Sequence, residues 1–196
     1  MVNIFFTDWD PVVAARDSCD SYVVKIPVEV ATMLSAIHWR TGYDGPVGSN
    51  MPLKFDANKH VLPAVGPYKN SKVIKSSSEI YQWLIKSKGN YKYAIKYGLE
   101  LIEEYKKRYD NKHHITEGVL LWLKSNIPNI PDGPITKDVG LAMPEIYKNR
   151  SNPTYSYKLY LVYGKSDVLK WEKGTMPEWY KSMTNVQQSC SAKNDE

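Results

Sequence analysis

Apolar positions recur every three to four residues along most of the chain, the pattern of amphipathic helices rather than strands. Asp10-Pro11 reads as a helix start, because an aspartate accepts hydrogen bonds from free N–H groups and proline fits the first turn. Val12 to Asp17 continue it. A second helix is predicted from Val23 or Ile26 to Arg40, with Val24, Val28, Ala31, Leu34, Ser35 and His38 on one face; Pro27 starts or kinks it and Thr41-Gly42 ends it. Residues 42–72 lose the periodicity and are punctuated by glycine and proline, which predicts a long loop insertion. Ser76-Ser77-Ser78-Glu79 has capping-box form, with Ser76 as the cap, and opens a helix through Ile80, Trp83 and Leu84.

Gly89-Asn90 is expected to separate that helix from the longest one, Tyr91 to Tyr109. Its inner stripe is Ala94, Tyr97, Gly98, Leu101 and Tyr105, with Lys92, Lys96, Glu100, Glu103, Glu104, Lys107 and Arg108 mostly outside. Thr116 to Asn126 reads as a short apolar helix, and Pro128, Pro131 and Pro134 as a loop. Pro153 or Thr154 to Trp171 reads as helix, with Gly164 unfavourable inside it, and Met176 to Tyr180 as the start of a last turn. The fold class expected is mainly α, one compact domain over residues 1–183 followed by a frayed polar tail over 184–196.

Composition narrows this picture. Hydrophobic residues are 42% and charged residues 24% of 196, which excludes global disorder, and no apolar run approaches the roughly 20 residues that span a bilayer. The N-terminus carries no basic n-region, and two cysteines, Cys19 and Cys190, make no disulfide framework, so a cytoplasmic location with free thiols is expected. With 26 basic and 21 acidic side chains the net charge is +5, enough to permit a polyanionic partner without requiring one. There are 15 Tyr and 6 Trp against 3 Phe. Such rings either stack on bases while their polar atoms stay wet, or close a small helical core at its rim.

The candidate chemistry is sparse. Four histidines and two cysteines stand in no zinc-ligand spacing, and neither nucleotide-binding nor hydrolase motifs occur, so no metal and no cofactor is expected. Glu29 is the one acid between Asp20 and Asp44; it lies beside the apolar stripe, with Lys25 four residues upstream, as a desolvated carboxylate or an ordinary surface glutamate would. Arg108, Tyr109 and His113 cluster at the end of the long helix, where cations also suit the macrodipole. Tyr147, Lys148, Arg150, Tyr155, Tyr157, Lys158, Tyr160, Tyr163 and Lys165 interleave rings with cations, the composition of a strand-tracking groove or of a tyrosine-rich helix on a core.

Asp10-Pro11-Val12, Cys19-Asp20-Ser21-Tyr22-Val23-Val24-Lys25 and Glu29 together resemble a family of small bacteriophage proteins. The likeness returns at Glu104-Tyr105, Arg108-Tyr109, His113, Ala142-Met143-Pro144-Glu145, Tyr157-Lys158, Trp171 and Pro177-x-Trp179. More distantly, the Asp20, Tyr22, Glu29 spacing, the Leu99–Arg108 helix and the Pro177-Glu178-Trp179-Tyr180 ending are similar to the pyrimidine-dimer DNA glycosylases typified by T-even phage endonuclease V. That resemblance implies an all-helical DNA glycosylase, with or without abasic-site lyase activity, acting on damaged or modified duplex DNA in a phage- or virus-infected cell, in the nucleus if the host is eukaryotic.

It also implies a mechanism. A backbone α-amine at Met1 or Val2, with a pKa near ~8, attacks the sugar C1′, and Glu29 stabilises the cationic sugar and moves protons. Lys25, Tyr22, Arg108, Tyr109, His113, Tyr157 and Lys158 would contact the substrate. The rival expectations are a non-catalytic nucleic-acid-binding protein on the same scaffold, an enzyme acting on free nucleotides, and an interaction protein whose helices bind a host factor.

Overall fold

A computed structural model describes residues 3–48, 65–69 and 74–191, with side chains to residue 185. Among them are seven α-helices and two single 3-10 turns, and no strand, so the protein is mainly α. Helix α1 (Pro11–Arg16) starts as its sequence requires: the Asp10 carboxylate accepts the Val12 N–H. Helix α2 (Asp20–Arg40) begins three residues before the earliest start expected and carries Pro27 in its interior. Its first turn, Asp20 and Ser21, has no apolar periodicity; it is fixed from outside, by the Asp20 N–H on Lys170 O and the Asp20 carboxylate on a distant turn. Thr41 caps the other end and Gly42, at φ 91°, takes the left-handed turn that follows.

Helix α3 (Glu79–Lys86) is capped by Ser78, not Ser76, through the Tyr81 N–H. Ser87, rather than Gly89-Asn90, divides α3 from α4 (Lys88–Arg108), because its extended backbone breaks the helix and its hydroxyl accepts the Asn90 N–H. Gly89 sits in the first turn of α4, where a side chain would strike the Pro134 and Ile135 backbone. Helix α5 (Glu117–Ser125) matches expectation, and Gly98 on α4 lets Leu120 and Val30 approach closely. Helix α6 (Pro153–Gly164) stops at Gly164 instead of continuing to Trp171, whose indole N–H reaches back to Asp17 O. Helix α7 (Glu178–Ser191) carries the polar segment from Thr184 in helical form as far as Ser191.

Helices α2 and α4 pack on each other at the centre, with α1, α3 and α5 around α4. The segment Ile4–Phe6 runs buried through this core. Ten of the fifteen tyrosines are buried, which decides between the two expectations for these rings: most are core residues. Several of their hydroxyls are satisfied internally, as by Tyr68 on Thr116 Oγ1 and Tyr93 on Asp8 O. Burial pushes the Tyr91, Tyr93 and Tyr97 hydroxyls up in pKa, so they stay neutral. Most of the loop insertion expected over 42–72, namely 49–64 and 70–72, lies outside the described residues. Residues 65–69 return to α2, where the Tyr68 N–H meets Ser35 Oγ and Trp39 Nε1–H meets Tyr68 O.

Candidate functional site

Glu29 is placed by the third turn of α2, with its side chain only 12% exposed. Its two oxygens face different partners. The Lys25 ammonium, one turn back, lies 3.0 Å from Oε1. The backbone N–H of Asn3 donates to Oε2 at 2.7 Å. Asn3 is held in turn by its side-chain amide on Ala142 O at 3.0 Å and by the Tyr157 hydroxyl, 3.4 Å from Asn3 Oδ1 and 2.8 Å from Gly140 O. Tyr22 stacks on Phe5 with ring centroids 4.6 Å apart, and burial, its largest cause, together with nearby groups including Glu29 keeps its hydroxyl neutral. The beginning of the described chain, Glu29, Lys25, Tyr22 and Tyr157 therefore form one neighbourhood. Met1 and Val2, the expected nucleophile, lie outside the described residues.

The structure places the other expected site residues elsewhere. Asp20 and Glu29 are nine residues apart on α2, about 13.5 Å along its axis. At the Asp20 end, Arg108 is not on an outer face: its side chain is 4% exposed and donates to Ser18 O, Arg16 O, Asp20 Oδ1 and Glu104 Oε2. Tyr109 stacks on Tyr105 and directs its hydroxyl to Asp20 O. His113 is exposed and faces Glu117 on the surface. Lys158 lies over the ring of Trp179 and, with Arg108, lines a cleft of about 630 Å³ between α1, the end of α4 and the 173–179 segment. Of the interleaved rings on α6, Tyr157 and Tyr160 are in the core while Tyr155 and Tyr163 are 44% exposed, so the outward face belongs to residues other than Tyr157.

Two carboxylates do more structural work than the sequence suggests. Asp20 accepts the N–H groups of Glu172, Lys173 and Gly174 at 2.6, 2.8 and 3.0 Å, plus Arg108 at 3.2 Å. Glu79 accepts the Leu141 N–H, Lys148 and Arg150. Burial opposes its ionisation, but the Arg150 and Lys148 hydrogen bonds outweigh that and hold its carboxyl at about 2. Both sets join residues more than 60 positions apart, and no local spacing reveals them. The sequence singled out Asp20 only through its spacing to Tyr22 and Glu29 in the resemblance.

His38 and His114 are buried, and burial pulls both imidazoles down to about 4, so neither is charged near neutrality. Among the described residues no group of three or more His, Cys, Asp or Glu side chains is placed to hold a metal ion, and no helix is long and apolar enough to cross a membrane. No family model, curated protein or solved structure matches this chain. The chemistry open to the Glu29 neighbourhood is set by its groups: one partly desolvated carboxylate, one ammonium 3.0 Å away, and the backbone of Asn3, the first described residue, hydrogen-bonded to the carboxylate.

Proposed function

We propose that this protein is a DNA glycosylase, with abasic-site lyase activity, that uses an amine at the start of the chain and Glu29. The observation that carries the reading is the Asn3 N–H on Glu29 Oε2, at 2.7 Å. That bond fixes the backbone at Asn3, next to Val2 in sequence, on the carboxylate, which supports an amine of Met1 or Val2 as the partner of Glu29. The likeness to the endonuclease V type of glycosylase supports the same pairing. The neutral amine forms a bond to C1′ as the glycosidic bond breaks, and the base leaves with a proton. Glu29 stabilises the cationic sugar and relays the protons. The resulting iminium acidifies C2′–H, and loss of that proton expels the 3′ phosphate and cleaves the strand. The target nucleotide would have to leave the helical stack, at a cost of a few kcal/mol.

A second amine favours a variant of this reading. Lys25 Nζ stands 3.0 Å from Glu29, so the covalent step could fall on its side chain instead. Borohydride reduction in the presence of duplex DNA with an abasic site decides. The proposal expects a covalent adduct that maps to the first two residues, that survives Lys25→Gln, and that falls at least about 100-fold in Glu29→Gln. An adduct on Lys25 moves the nucleophile but keeps the chemistry. Salt-sensitive binding with no adduct leaves a non-catalytic nucleic-acid-binding protein, which the engagement of both Glu29 oxygens by Lys25 and Asn3 would then explain.

A further inference from the structure

The cleft at the far end of α2 holds two cations of an unusual kind. Its four carboxylates are engaged: Asp8 accepts the Asp10 N–H, Asp17 accepts from Trp179 Nε1 at 2.8 Å, Glu104 is paired with Lys107 and Arg108, and Glu178 with Lys181. Arg108 spends its donors on four protein acceptors. Lys158 and Lys173 differ. Lys158 Nζ sits 5.4 Å from the Trp179 ring centroid and Lys173 Nζ 5.2 Å from that of Tyr109, and among the described residues neither has a carboxylate within 4 Å. A ring face steadies an ammonium without neutralising it or occupying its three N–H donors. The turn that carries Lys173 is itself fixed, since its N–H groups are tied to Asp20. Two ammoniums with free donors thus border one cleft of about 630 Å³, wide enough for a phosphate and its sugar.

From this we infer that the cleft is a clamp for a backbone phosphodiester of a nucleic-acid strand, held by Lys158 and Lys173. The inference rests on the DNA reading above for the identity of the strand, and it adds a second point of contact. The α2 axis from Asp20 to Glu29 covers about 13.5 Å, roughly four base steps at about 3.4 Å each, so the clamp grips flanking backbone rather than the nucleotide at Glu29. Five cations and four carboxylates line the cleft, so its net field is weak and attraction depends on these two lysines in particular.

The test is the salt dependence of binding to a duplex with one abasic site, for the full chain and for Lys158→Ala/Lys173→Ala. Each neutralised phosphate contributes about 0.9 to the log–log slope, so the double variant, which releases the one clamped phosphate, should show a slope smaller by about 0.9. Between about 50 and 200 mM salt the wild type should therefore lose roughly 3.5-fold more affinity than the variant does. Lys92→Ala/Lys96→Ala, an equal charge change on the exposed face of α4, should keep the wild-type slope. Equal loss in both pairs overturns the clamp, as does an unchanged slope in the first pair or no duplex binding by the wild type. Wild-type binding of a nucleoside monophosphate without duplex binding assigns the cleft to free nucleotides and also overturns it. Adduct formation by the wild type is read in the same samples, so the two readings fail separately. An adduct with an unaltered slope removes the clamp alone; a clamp-dependent slope with no adduct removes the glycosylase alone.

Discussion

Acid should weaken this protein through His114 in a way that can be isolated. The imidazole is 1% exposed, edge-on to Tyr105, with Nε2 2.9 Å from Val24 O and Nδ1 3.2 Å from the Thr116 nitrogen. A carbonyl only accepts and an N–H only donates, so the neutral ring carries its proton on Nε2 and accepts at Nδ1. Protonation would put a second N–H at Nδ1, facing the Thr116 N–H that enters α5. Burial pulls the folded pKa from 6.5 to about 4, against the smaller opposing pull of the Val24 carbonyl and Glu117. Because the folded value is the depressed one, the stability tied to the neutral ring is present above about pH 6.5 and lost as pH falls towards 4. A difference of about 2.5 units corresponds to about 3 kcal/mol. His114→Gln keeps an amide near the Val24 carbonyl and does not titrate. Urea unfolding followed by circular dichroism at pH 7, 5.5 and 4 should show the variant about 2 kcal/mol less stable at pH 7, from imperfect replacement of two buried hydrogen bonds. At pH 4 the wild type should have lost about 3 kcal/mol that the variant keeps, so the gap should vanish on the way down and reverse, with the variant about 1 kcal/mol the more stable. Carboxylates and His38 titrate in both proteins and cancel in the difference. Parallel curves across that range, or a His114 ring titrating near 6.5 by NMR, would refute the reasoning.

Other expectations concern the anchors of the fold. Asp20→Asn puts an N–H2 group where backbone donors converge and weakens the hold on Arg108; it should cost about 3 kcal/mol, lower Tm by several degrees and speed amide exchange at residues 172–174. Unchanged exchange there would show that the carboxylate does not hold the turn. Gly140→Ala places a Cβ 2.3 Å from Glu79 O and 2.5 Å from Ile80 N, backbone atoms that cannot rotate away, so a loss of about 2 kcal/mol or more is expected in thermal unfolding. Wild-type Tm in that variant would mean α3 and residue 140 are not in such close contact.

The sequence by itself determined the mainly helical class and the rough place of each helix, because amphipathic periodicity and side-chain caps are local. Asp10 capping α1, the stripe of α4 from Ala94 to Tyr105 and the Lys25–Glu29 pair one turn apart were all legible for that reason. Boundaries failed where a distant segment sets them: α2 starts at Asp20 because residues 170–174 meet it, and α4 starts after Ser87 while Gly89 serves the close Pro134 backbone. The tyrosines show the same division. Their number was plain in the chain, but which ring is wet and which is dry depends on packing partners far away, as Tyr157 and Tyr155, two residues apart on α6, demonstrate. Charge was the least legible property. Arg108 reads as an outward cation at a helix end, yet it is sealed under four acceptors, three on residues 16–20 and one, Glu104, on its own helix, while Lys158 and Lys173 keep their donors free. Local spacing fixes which residues share a helix face; only the meeting of remote segments fixes which charges neutralise one another and which stay open to a ligand.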